Sequence, residues 1–148
     1  MKDRFVSKKS KIKVVKALNP LQLAFILETL EKIKEIEKYK KALQKDPNNA
    51  LLYSEIGRLY AFRPPTDHDS AQEYYEKAIE IAPNNSIVHW AYGCFLHMLG
   101  GKSGKAKAKE EYKKAIELDT VNAKTYYNLG VIYGRAGMYK ESKQAFED

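Results

Sequence analysis

Apolar positions in this chain recur at helical spacing, and the helical segments themselves recur. From Leu21 to Lys45 there is neither Gly nor Pro, and Leu23, Leu27, Leu30, Ile33 and Ile36 follow at three- and four-residue steps, the period of one helical face. Asn19-Pro20 is a helix start, because Asn accepts from the first free N–H groups and Pro fits the first helical position. Gln22 stands where a capping box wants Glu or Gln. Asp46-Pro47 closes the segment, since the residue before Pro is pushed out of the helical region. The pattern predicts one long helix, or two helices with a hidden joint. Three helix pairs follow, near 50–62 and 69–82, 86–99 and 104–118, and 123–136 and 139–148. Asn49, Asn85 and Asn122 precede their first helices as N-caps.

The pairs share residues as well as rhythm. Tyr53-x2-Ile56-Gly57-x2-Tyr60, His89-x2-Tyr92-Gly93-x2-Leu96 and Tyr126-x2-Leu129-Gly130-x2-Tyr133 occupy the first helices, with glycines 36 and 37 residues apart. Tyr39-x2-Ala42, Tyr75-x2-Ala78 and Tyr112-x2-Ala115 occupy second helices, and Phe146 opens a fourth copy whose Ala would lie beyond Asp148. Gly costs about 1 kcal/mol inside a helix, so three at one phase need a reason, and close approach of the paired helix supplies it. A fixed period in the thirties signifies a stacked helical array.

These residues resemble the tetratricopeptide repeat, W-x2-L-G-x2-Y…A-x3-F…P over 34 residues. Tyr53, Ile56, Gly57, Tyr60, Ala71, Tyr75, Ala78 and Pro83 carry the match in the first full repeat. Tyr92, Gly93, Leu96, Ala108, Tyr112 and Ala115 carry it in the second, where His89 replaces the aromatic and Thr120 the Pro. Tyr126, Leu129, Gly130, Tyr133 and Phe146 carry it in the third, with Ser142 for Ala. The resemblance implies an all-α, right-handed superhelical array of antiparallel helix pairs. The expected organisation is a basic arm over 1–18, a long N-terminal helix with a half repeat over 19–47, repeats at 50–85 and 86–122, and a repeat at 123–148 cut short in its second helix. The first two repeats exceed 34 residues, with the excess between Gly and Ala. That places Arg63 to Asp69 and Gly100 to Gly104 as enlarged turns, with Ser70-x2-Glu73 as a capping box after the former and Lys102, Lys105, Lys107 and Lys109 as a solvated helix start after the latter.

Composition narrows the class. Hydrophobic residues make up 44% of the 148, a globular composition. No apolar run approaches the ~18 residues of a membrane span. A single cysteine, Cys94, excludes an internal disulfide framework and fits a reducing, cytoplasmic setting. The net charge of +7 is lopsided: residues 1–18 carry seven basic side chains against one acidic, and the other 130 carry 19 against 18. Lys8, Lys9, Lys11, Lys13 and Lys16 form an arm that can meet nucleic acid or an acidic surface, or stay solvated.

The chemistry-bearing constellations are thin. Cys94-x2-His97-Met98 puts a thiol and an imidazole on one helical face, but zinc wants four ligands and no second Cys exists. No phosphate loop, nucleophile elbow or paired catalytic carboxylate is present. The expectation is a non-enzymatic interaction scaffold without cofactor or metal. By the resemblance, a partner peptide or helix lies along the first helices. Leu51, Arg58 and Phe62 would line the groove in the first repeat, with Ser54 and Ala61 beside them. Ile87, Trp90, Cys94, His97 and Met98 would line it in the second, and Lys124, Tyr127, Val131 and Arg135 in the third. Co-chaperone repeats that grip a C-terminal carboxylate carry Lys, Asn and Arg at set places, of which only Lys124 is matched here. Two alternatives stand beside peptide binding. One is homo-oligomerisation through the unfinished C-terminal helix and the apolar N-terminal helix, whose Leu23, Phe25, Ile26, Leu27 and Leu30 would fill a neighbour's groove or, within one molecule, the chain's own. The other is nucleic-acid or acidic-surface binding through the arm.

Overall fold

The structure, a computed structural model, describes residues 17–119. Five helices run in order: α1 Pro20–Lys45, α2 Ala50–Phe62, α3 His68–Ile81, α4 Ser86–Leu99 and α5 Gly101–Leu118. The segment 20–45 is one uninterrupted helix. Its capping box is complete, with Gln22 N–H donating to Asn19 Oδ1 at 2.9 Å and Asn19 N–H to Gln22 Oε1 at 3.0 Å. Asn49 caps α2 through Leu52 N–H, and Asn85 caps α4 through the N–H groups of Ile87 and Val88. The third pair expected over 123–148 lies outside the described residues.

Two local expectations fail. The cap of α3 is Asp67, which accepts from the N–H and the hydroxyl of Ser70, so Ser70 opens no capping box of its own. The segment Gly100 to Gly104 is no five-residue turn. Gly100 and Gly101, at φ +73° and +67°, reverse the chain alone, a left-handed conformation that glycine reaches without steric cost. The extra residues of the second repeat therefore lengthen α5 instead of enlarging a loop. Gly104 lies inside that helix, where an added Cβ would sit 2.9 Å from the Leu96 carbonyl oxygen.

The helices pack as pairs. α2 lies on α3 and α4 on α5, and the motif residues are the seams. Ala71, Tyr75 and Ala78 of α3 and Ala108, Tyr112 and Ala115 of α5 are fully buried. Gly57 faces the Tyr75 ring, and Gly93 faces the Tyr112 ring. Between pairs, Ala61, Ala71, Tyr75 and Phe95 form one cluster, with the Tyr75 and Phe95 rings stacked at 5.3 Å. α1 joins through Ile36, which meets Ile56 and Leu59 of α2. Its C-terminal half thus behaves as the second helix of a preceding pair.

Two buried polar side chains, Lys32 and His89, are held by specific partners. Lys32 is 4% exposed. Its Nζ donates to the carbonyls of Arg63 and Pro65 and lies over the Tyr60 ring at 5.2 Å, fastening the α2–α3 loop to α1. Beside it, Glu35 pairs with Arg63 at 2.6 Å. His89, which replaces the motif aromatic, is buried between Glu111 Oε2 at 2.6 Å and the Pro83 carbonyl at 2.7 Å. Both ring nitrogens thus have an oxygen partner within hydrogen-bond distance.

Candidate binding surfaces

The packing of the helices defines which side of the array is concave. α2 rests directly on α4, whereas the second helices α1, α3 and α5 make no comparable contact with one another. First helices therefore lie on the inside of the curve. On α2 the uncovered strip is Leu51, Arg58 and Phe62; on α4 the corresponding strip begins at Ile87 and ends at Met98. Leu51 and Phe62 are each 43% exposed, Ile87 53% and Met98 38%. Leu51 matches Ile87 and Phe62 matches Met98, 36 residues on. Arg58 lies between the apolar ends of α2 and is paired with Glu55 at 2.8 Å.

The remaining groove candidates occupy a different flank. Ser54 and Ala61 are buried, Ala61 within the cluster that joins α2 to α4, which removes both from the expected lining. Trp90 and His97 are their counterparts on α4 and are half-buried. Trp90 packs with Cys94 against Leu96, Ala108, Tyr112 and Ala115, and its Nε1 is buried with no acceptor among the described residues. Burial pushes the Cys94 thiol up to about 11, against a smaller opposing effect of Tyr112. Burial likewise pushes the Tyr92 hydroxyl up to about 12, reinforced by Glu76. Lys124, Tyr127, Val131 and Arg135 lie outside the described residues, as do Lys8, Lys9, Lys11, Lys13 and Lys16.

A second concave feature was not expected. A cleft of about 570 Å³ opens between α1 and the α2–α3 loop, lined among others by Lys32, Ile33, Lys40, Tyr60, Pro65 and Asp67. Lys32 is lowered from its ordinary value, chiefly by burial, with Asp67 partly opposing. Asp67 is held below the usual carboxylate range by its Ser70 hydrogen bonds. The alternative in which α1 fills the chain's own groove is not seen among the described residues. Leu23, Phe25, Ile26, Leu27 and Leu30 are all exposed. No group of three or more His, Cys, Asp or Glu that could hold a metal exists among the described residues. No helix there is long and apolar enough to cross a membrane.

The motif seams and the paired helices decide the family once set beside known proteins. Residues 66–85 match the model described as tetratricopeptide repeat, and residues 106–137 match a second, described as TPR repeat. This chain is a tetratricopeptide repeat protein. It is 32% identical over 112 residues to the TPR repeat-containing protein MJ1428 of Methanocaldococcus jannaschii, covering 74% of the chain and 18% of the relative. It is 28% identical over 119 residues to the general transcriptional corepressor trfA of Dictyostelium discoideum, covering 78% of the chain and 8% of the relative. The chain thus spans less than a fifth of either curated relative. Among solved structures it is similar to MamA, with a TM-score of 0.53 and 29% identity over 76% of this chain and 63% of that one. A tetratricopeptide array of this kind is all-helical and packed pairwise, and such repeats generally mediate protein–protein interactions.

Proposed function

We propose that this tetratricopeptide protein is a non-enzymatic interaction module that seats an apolar peptide or amphipathic helix of a partner along α2 and α4. One observation carries the reading. The same two positions of each first helix, Leu51 with Ile87 and Phe62 with Met98, are apolar and exposed in both described repeats. Apolar side chains left uncovered in register along adjacent helices are what a helix-in-groove partner takes up through anchors a turn or two apart. Arg58, between them, supplies an ion-pairing point for an acidic residue of the partner. Trp90 and Cys94 support the floor from the side instead of presenting their full faces.

Peptides selected from a random display library on the whole chain test this. Binding of the selected peptides should weaken at least tenfold in Phe62→Ser with Met98→Ser. It should be unchanged in Lys77→Ala, on the exposed side of α3. Selected peptides that bind all variants alike would overturn the groove.

A further inference from the structure

We infer that the N-terminal half of α1 is a docking surface for a second copy of this chain, the two helices lying antiparallel across a two-fold axis near residue 28. α1 outruns the body of the array. Only its C-terminal half is packed on α2, and the first three turns project with Leu23, Ile26, Leu27 and Leu30 uncovered. Leu23, Ile26, Leu30 and Ile33 form a seam at steps of three, four and three residues, the two-heptad spacing of helix-to-helix packing. That seam reads the same from either end, as an isologous two-fold contact demands. In the antiparallel register Leu23 meets Ile33 of the other copy, and Ile26 meets Leu30.

Two further features agree with this occupant. Ile33 belongs both to the seam and to the lining of the 570 Å³ cleft, so the stripe runs into a recess that receives Leu23 of the other copy. Glu37, also on the cleft wall, falls opposite Asn19 of the other copy in the same register. A carboxylate there faces the positive end of a helix. A lipid surface fits less well. Interfacial helices carry Lys or Arg on their polar face, whereas Pro20 to Glu31 contains Glu28 and Glu31 and no basic residue. The seam residues together expose roughly 600 Å² in the pair, the most that their contact can remove from water and well below the ~1,200 Å² of stable interfaces. The dimer is therefore expected to dissociate on dilution.

Sedimentation of the full chain over a wide concentration range tests the inference. The mass should rise from monomer to dimer, and Ile26→Lys with Leu30→Lys, both at exposed positions, should remain monomeric with unchanged helical circular dichroism. Leu23→Cys with Ile33→Cys should oxidise to a covalent dimer. Leu23→Cys alone should not, because its two copies would lie ~15 Å apart along the axis, beyond disulfide reach. The buried Cys94 thiol does not compete. A chain that stays monomeric at every concentration overturns the inference, and so does a dimer indifferent to both lysines. So does a monomer whose Ile26 and Leu30 are needed to bind anionic vesicles.

Discussion

Gly93 should be far less replaceable than Gly57, although the two occupy the same place in the repeat. A Cβ at Gly93 would lie 2.5 and 2.6 Å from two carbons of the Tyr112 ring, and one at Gly57 would lie 3.1 to 3.2 Å from the Tyr75 ring. Apolar carbons are best separated by about 3.5–4.0 Å, so the overlap at Gly93 is about 1 Å and at Gly57 a few tenths. Tyr112 is 1% exposed and cannot swing clear, so α4 and α5 must separate. Overpacking of this kind costs about 1–3 kcal/mol. Replacing helical Gly by Ala returns about 1 kcal/mol. An overlap of about 1 Å puts Gly93→Ala in the upper half of that cost, about 2–3 kcal/mol, so the net expectation is a loss of about 1–2 kcal/mol, and for Gly57→Ala roughly none. Thermal unfolding followed by far-ultraviolet circular dichroism should place Gly93→Ala about 3–8 °C below Gly57→Ala. Gly93→Ala melting at or above the parent, or Gly57→Ala falling as far, would refute the close-approach reasoning.

Three other outcomes follow from buried or capping groups. Lys32→Met should cost about 1–3 kcal/mol in urea unfolding, because the Arg63 and Pro65 carbonyls lose their donor; stability equal to the parent would show that the loop re-pairs with water. Cys94, pushed up to about 11 from 9.0, should carry about a hundredfold less thiolate at mildly alkaline pH than an ordinary thiol. Its alkylation should be correspondingly slow and still rising near pH 10. Asp67 is depressed by Ser70, so its contribution to stability is present above the ordinary carboxylate value of 3.8 and is lost as pH falls through the lowered one. Asp67→Asn should flatten the acid limb of the stability–pH curve, and an unchanged limb would remove Asp67 from that role.

Much of the array was written in short-range pattern. The 3.6 period of apolar residues placed the helices, and Asn19, Asn49 and Asn85 opened them, because a helix start needs only a nearby acceptor for its free N–H groups. The phased glycines marked the seams, since nothing but close approach justifies their cost in a helix. What failed or was missed depended on partners distant in sequence. Gly104 read as a turn residue until the Leu96 carbonyl was found against it. Nothing in the pattern sets Lys32 apart from the other lysines of its helix, and its partners, the carbonyls of Arg63 and Pro65 that accept from its Nζ, lie more than thirty residues away. Ser54 and Ala61 shared a helical face with Leu51 and Phe62, and only the approach of α4 divided buried flank from exposed strip. The same holds for α1. Its sequence established an apolar helix but not whether the groove, the cleft or nothing covered it. Periodicity is a property of the chain with itself, so it survives without a tertiary structure. Which side of a helix meets water is a property of its neighbours, and only their packing decides it.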